Sequence, residues 1–143
     1  LASMLAATPA VAEITSRADG GFELQSTRTV GADPRRSYAV AVRDIGRWWH
    51  PEHTYSGVSR NLRLEPRPGG CLCERLANRG GVLHMHVSYV APGESLRMLG
   101  GLGPLQELAA SGAMTWNFRK ADAGGTQIAW TYRVTGLQPG AAA

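Results

Sequence analysis

A chain of 143 residues with 43% hydrophobic content, 18 glycines and 8 prolines is one turn-rich globular domain, not a disordered segment. Its net charge of +4 is mild, and its arginines (Arg28, Arg35, Arg36 and Arg60 among them) are scattered without interleaved aromatics, which argues against a nucleic-acid binder. No apolar run is long enough for a helical membrane span, and no repeat-length period is visible.

Residues 1–12, LASMLAATPAVA, read as the tail of a secretory apolar region closed by a small-x-small site at Ala10-Val11-Ala12. The expectation is an exported domain, periplasmic or secreted, with 1–12 as a signal remnant and 13–21 as a lead-in. Residues 22–143 then form a single domain. A frayed alanine-rich terminus is the plainer alternative.

Phe22 to Val30 alternates loosely and is the first predicted strand. The helical stretch follows. Asp33 suits an N-cap and Pro34 the first helical position, where a missing N–H costs nothing. Tyr38, Val42 and Ile45 then make an apolar stripe at helical spacing. Gly46 interrupts it, and Arg47-Trp48-Trp49-His50 makes a second short turn closed by Pro51. Beyond it the pattern is antiparallel meander: strands at 58–65, 71–77, 82–90, 95–99, 112–121 and 126–135, separated by Gly-, Pro- and Asn-containing turns.

Turn positions predict register, because a one-residue slip exchanges the two faces of a strand. A turn at Pro66–Gly70 pairs Leu64 with Leu72 and Leu62 with Glu74. A turn at Arg79-Gly80 pairs Leu72 with Val87, Glu74 with Met85 and Leu76 with Leu83. Val87 then meets Met98 and Tyr89 meets Leu96, while the last hairpin pairs Phe118 with Ile128, Trp116 with Trp130 and Met114 with Tyr132. One face of the sheet is therefore strongly apolar and needs a cover.

One strand, two short helices ending in Trp-Trp-His-Pro, six meander strands, a Gly-Leu-Gly-Pro-Leu loop and a Gly-Gly-Thr turn before the last strand resemble the SRPBCC superfamily. This is the START-like, helix-grip fold shared with the birch-pollen allergen, and the likeness is strongest to its bacterial polyketide-cyclase and co-chaperone-activator-like branch. It runs from about Phe22 to Leu137. It implies an α+β architecture in which a curved antiparallel sheet of about seven strands wraps a C-terminal helix around a cavity. The sequence ends before such a helix, so the expectation is a domain truncated at its C-terminus, continued in the natural chain by an amphipathic helix.

Several residues are candidates for chemistry. Cys71-Leu-Cys73 and His84-Met-His86 carry zinc's preferred ligand types on adjacent strands. The register puts Cys73 opposite His86 on the outer face, and no metal or other cofactor is assigned. A Cys71–Cys73 disulfide is disfavoured, since same-face strand neighbours are splayed slightly too far. Glu74 stands in an apolar row between Leu72 and Leu76, where burial would raise its pKa and fit it for acid–base work. It pairs with an arginine or reaches the cavity mouth in the alternative reading. No serine-nucleophile elbow, phosphate loop or metalloprotease motif is present.

The expected function is binding of a small hydrophobic or aromatic molecule in a sheet-lined cavity. Leu72, Met85, Val87, Met98, Met114, Trp116, Trp130 and Tyr132 would form the wall. Trp49, His50, His53 and Tyr55 would form the rim. The rivals are a cyclase- or dehydratase-like enzyme using Glu74, and a co-chaperone-like interaction module; fold does not choose among them.

Overall fold

The computed structural model describes residues 12–18 and 20–138. Apart from Ala12, the expected signal remnant lies outside the described residues. Eight strands form a single curved antiparallel sheet: β1 (Glu13–Ala18), β2 (Gly21–Val30), β3 (Leu62–Leu64), β4 (Cys71–Arg75), β5 (Gly81–Ala91), β6 (Ser95–Leu99), β7 (Ser111–Lys120) and β8 (Thr126–Thr135). Their order is β1-β2-β8-β7-β6-β5-β4-β3, a meander whose last strand returns beside β2. Two short helices, α1 (Pro34–Arg43) and α2 (Ile45–Trp48), follow β2. This is the α+β, helix-grip-like arrangement expected from the sequence, with one strand more than the expected seven. The extra strand is β1, drawn from the lead-in and paired with β2 along its first half.

The helix forms as its capping residues dictate. The Asp33 carboxylate accepts a hydrogen bond from the Arg36 amide at 3.1 Å, Pro34 occupies the first turn, and Tyr38, Val42 and Ile45 are buried against the sheet. Gly46 is not what breaks the helix; the break falls at Asp44. A Cβ on Gly46 would lie 2.9 Å from the Ser59 carbonyl oxygen and 3.0 Å from the Arg60 Cα, so α2 sits directly on the 59–61 turn. Gly46→Ala gains at most about 1 kcal/mol of helix propensity but forces this contact apart at a cost of about 1–3 kcal/mol. The expected net result is a lower urea midpoint, and a higher one would show that the contact is slack.

The core is built from the inward residues of β3 to β8, among them Leu72, Met85, Val87, Leu96 and Met98, all at 2% exposure or less. Register follows expectation at both ends. Leu64 pairs with Leu72, Leu62 with Glu74, Val87 with Met98, and the last hairpin pairs as predicted through Trp116 and Trp130.

The middle differs. The β4–β5 connection is a three-residue loop, Ala77–Arg79, centred on Asn78 and not on Arg79-Gly80, with Asn78 and Arg79 both at positive φ. Beside the turn the partners therefore move by three residues, so that Glu74 meets Val82 and not Met85, and the bulge at Leu72/Cys73 gives one residue back, so that Leu72 meets Met85 and not Val87. Two bulges in β5 then correct the facing. One passes over His84, between its paired neighbours Leu83 and Met85, and turns His84 and Met85 inward together. The other passes over Ser88, so that Val90 and not Tyr89 meets Leu96. Leu83 and Tyr89, expected inside, are therefore exposed on the outer face, where the Arg97 guanidinium lies over the Tyr89 ring.

Candidate functional site

Between α1, α2 and the concave face of β2, β8 and β7 lies a cavity of about 570 Å³. That is within the usual range for small-molecule sites. Strand alternation sends Met114, Trp116 and Phe118 of β7 and Ile128 and Trp130 of β8 into it, and Arg28 and Val30 of β2 complete the sheet side. Ser37, Val40, Ala41 and Trp48 form the helical side, with Trp49 just beyond α2. Trp48 is braced by a hydrogen bond from its indole N–H to the Ala41 carbonyl at 2.9 Å, and its ring meets those of Trp49 and Trp116, each at 5.6 Å. The wall is apolar apart from Arg28, Arg36 and Ser37, and the Ser37 hydroxyl already donates to the Ala32 carbonyl.

Of the wall and rim residues expected from the sequence, Trp49, Met114, Trp116 and Trp130 line this cavity. Leu72, Met85, Val87 and Met98 do not; they are packed solid in the neighbouring core. Tyr132 is also core. Its hydroxyl accepts from the Leu102 amide and donates to the Gly100 carbonyl, tying down the loop after β6, and burial raises its pKa. His50, His53 and Tyr55 are exposed and lie outside the lining. The imidazole of His50 is used locally, accepting from the Glu52 amide. The helical side of the cavity was missed although its signal is present: Ser37, Val40, Ala41 and Trp48 stand at i, i+3, i+4 and i+11, a second helical stripe beside the Tyr38–Val42–Ile45 stripe.

Glu74 is buried, as expected, but it meets neither an arginine nor the cavity. Its Oε1 accepts from the Ser56 amide at 2.6 Å, and its Oε2 accepts from the Tyr55 amide at 3.1 Å and lies 2.9 Å from His84 Nε2. His84, expected on the outer face, is turned in by the β5 bulge and is 4% exposed. Burial alone pushes the Glu74 carboxyl up, but the hydrogen bonds from Ser56, His84 and Tyr55 outweigh it and hold the pKa below its ordinary 4.5. An ionised Glu74 requires the proton of a neutral His84 to sit on Nε2, which leaves Nδ1 as an acceptor without a hydrogen-bond partner among the described residues. The pair anchors the 54–57 loop from beneath.

Cys71 and Cys73 form a disulfide, contrary to the expectation of two free thiols. The expectation assumed a regular strand. At the bulge the Cα atoms approach to 5.4 Å, within the range a disulfide spans. The expected facing of Cys73 and His86 is also shifted: Cys71 stands opposite His86, and Cys73 opposite Leu83.

No protein-family model matches the chain, and no curated protein matches it. Solved structures do. A conserved protein of unknown function from Enterococcus faecalis aligns with a TM-score of 0.58 at 9% identity, over 89% of this chain and 62% of that one. This chain thus spans less than two thirds of that protein. An uncharacterised protein from Rhizobium leguminosarum aligns with a TM-score of 0.55 at 23% identity, over 89% of this chain and 80% of the other. CalU16 from Micromonospora echinospora aligns with a TM-score of 0.51 at 12% identity, over 90% and 71%. At these identities the likeness establishes the fold alone.

Proposed function

We propose that this chain is an exported START-like domain that binds a small aromatic or otherwise apolar molecule. The observation that carries the reading is that all four tryptophans of the chain line one cavity. Indole rings supply large apolar contact area with few rotatable bonds, which suits them to holding a flat ligand. Arg36 on the same wall supplies a polar end to the site, so a ligand with an aromatic body and a carboxylate fits its chemistry better than a plain hydrocarbon. The exported location is proposed from the small-x-small site at Ala10-Val11-Ala12. The acid–base alternative loses its support, because the Glu74 carboxylate is committed to three hydrogen bonds and is absent from the cavity wall.

The test is a titration of intrinsic tryptophan fluorescence with a fused-ring aromatic carboxylic acid and with the matching alcohol, alongside mass spectrometry of molecules that copurify with the protein. Trp130→Ala should weaken binding of both probes at least tenfold, about 1.4 kcal/mol, whereas Arg36→Gln should weaken the acid alone. Absence of any copurifying ligand, together with no saturable quenching by either probe, would refute the reading.

A further inference from the structure

We infer that Cys71 and Cys73 are a thiol–disulfide exchange site, with Cys73 the sulfur that a small thiol attacks. The inference is independent of the cavity and its ligand. The bridge joins two positions that one strand already holds, and closing so short a loop removes little freedom from the unfolded chain. It is therefore poorly placed as a stabilising staple. It also sits where the ladder is already irregular, with the register between β4 and β5 shifting between Leu72 and Cys73. The Cα separation of 5.4 Å is shorter by about 1 Å than two residues of extended strand would span.

The two sulfurs are unequal. Cys71 is buried, whereas Cys73 is partly exposed. Register places Arg63 of β3 opposite Cys73 and His86 of β5 opposite Cys71. The Arg63 guanidinium opposite Cys73 favours a thiolate over a thiol there. Arg63 is shared with the Glu65 carboxylate at 3.3 Å, and His86 is exposed.

The exchange runs in two steps. The thiolate of a small thiol attacks Cys73 Sγ; the Sγ–Sγ bond breaks, and its electron pair leaves on Cys71 Sγ, which takes a proton from solvent. A second thiolate attacks the outer sulfur of the mixed disulfide, and Cys73 leaves and is protonated in turn. Two external thiols are oxidised to one disulfide, and the protein bridge is reduced to two thiols by the same two electrons and two protons.

The experiment equilibrates the whole folded chain with a glutathione buffer of about 5 mM reduced and 0.5 mM oxidised form, quenches with acid, alkylates, and maps both cysteines by mass spectrometry. At least half of the molecules should carry two alkylated cysteines, and the trapped mixed disulfide should lie on Cys73 in preference to Cys71 by about tenfold or more. A bridge that survives this buffer and opens only when denaturant unfolds the protein would overturn the inference, as would an adduct on Cys71. As an independent arm, the lone thiol of Cys71→Ser should react with a thiol probe about tenfold faster or more than that of Cys73→Ser in the native state, and equally fast in denaturant. Equal native rates would refute the assigned roles. If either variant fails to fold, the unsubstituted chain still decides the question.

Discussion

Glu74→Gln should lower the free energy of unfolding by about 2–4 kcal/mol while leaving affinity for the cavity ligand within about tenfold. The carboxylate accepts from two backbone amides and His84, and an amide side chain offers only one oxygen for those three partners. Whichever way the amide is turned, its NH₂ meets a donor, and at least one buried N–H of the 55–56 segment or the His84 ring loses its partner. The loss should appear as a shifted urea midpoint with an unchanged slope, and as faster amide exchange at Tyr55 and Ser56. The pH dependence has a definite sign. The folded pKa of Glu74 lies below its ordinary 4.5, so the native state binds that proton more weakly than the unfolded chain does. Its contribution is complete above the unfolded value and is lost as pH falls through the folded one. Acid unfolding of the parent should therefore show a carboxylate-linked step below pH 4.5 that Glu74→Gln lacks. Identical acid profiles would mean that the dyad does not hold the loop.

Trp116→Ala should cost about 3–5 kcal/mol, a large share of the 5–15 kcal/mol that typically separates a folded domain from its unfolded chain. The indole is 6% exposed, sits opposite Trp130 in the β7–β8 ladder and Leu96 in the β6–β7 ladder, and meets Trp48 edge to face. It belongs at once to the core and to the cavity wall, so its removal should lower stability and ligand affinity together. Trp130 is only half-buried, one face being turned to the cavity. Its replacement by alanine should therefore cost less than half as much stability while still weakening ligand binding. Paired urea melts and fluorescence titrations of the two variants separate these effects. Equal stability losses would mean that Trp130 is packed as core and does not face an open cavity.

Features governed by short-range chemistry are legible in the amino-acid order alone. Asp33 and Pro34 can start a helix with no help from the rest of the molecule, and the Tyr38–Val42–Ile45 stripe declares the face it buries. The last hairpin, bounded by Asp122–Gly125, carries its register in its turn, and Trp116 falls opposite Trp130 as alternation requires. Likewise the burial of Glu74 was legible, because its strand is apolar on either side of it. Its partner was not. His84 reaches Glu74 only through a bulge, a single unpaired residue that leaves the hydrophobic pattern almost unchanged yet reverses which face a side chain takes. The same bulged ladder draws Cys71 and Cys73 within disulfide reach, at spacings a regular strand would not permit. The cavity, too, is a tertiary product. Alternation identified the apolar face of the sheet, but only the curvature of the sheet and the seating of α1 and α2 decided which half of that face became solid core around Met85 and Met98 and which half stayed open beneath the tryptophans. Packing is a property of two surfaces meeting, and a one-dimensional pattern describes one surface at a time.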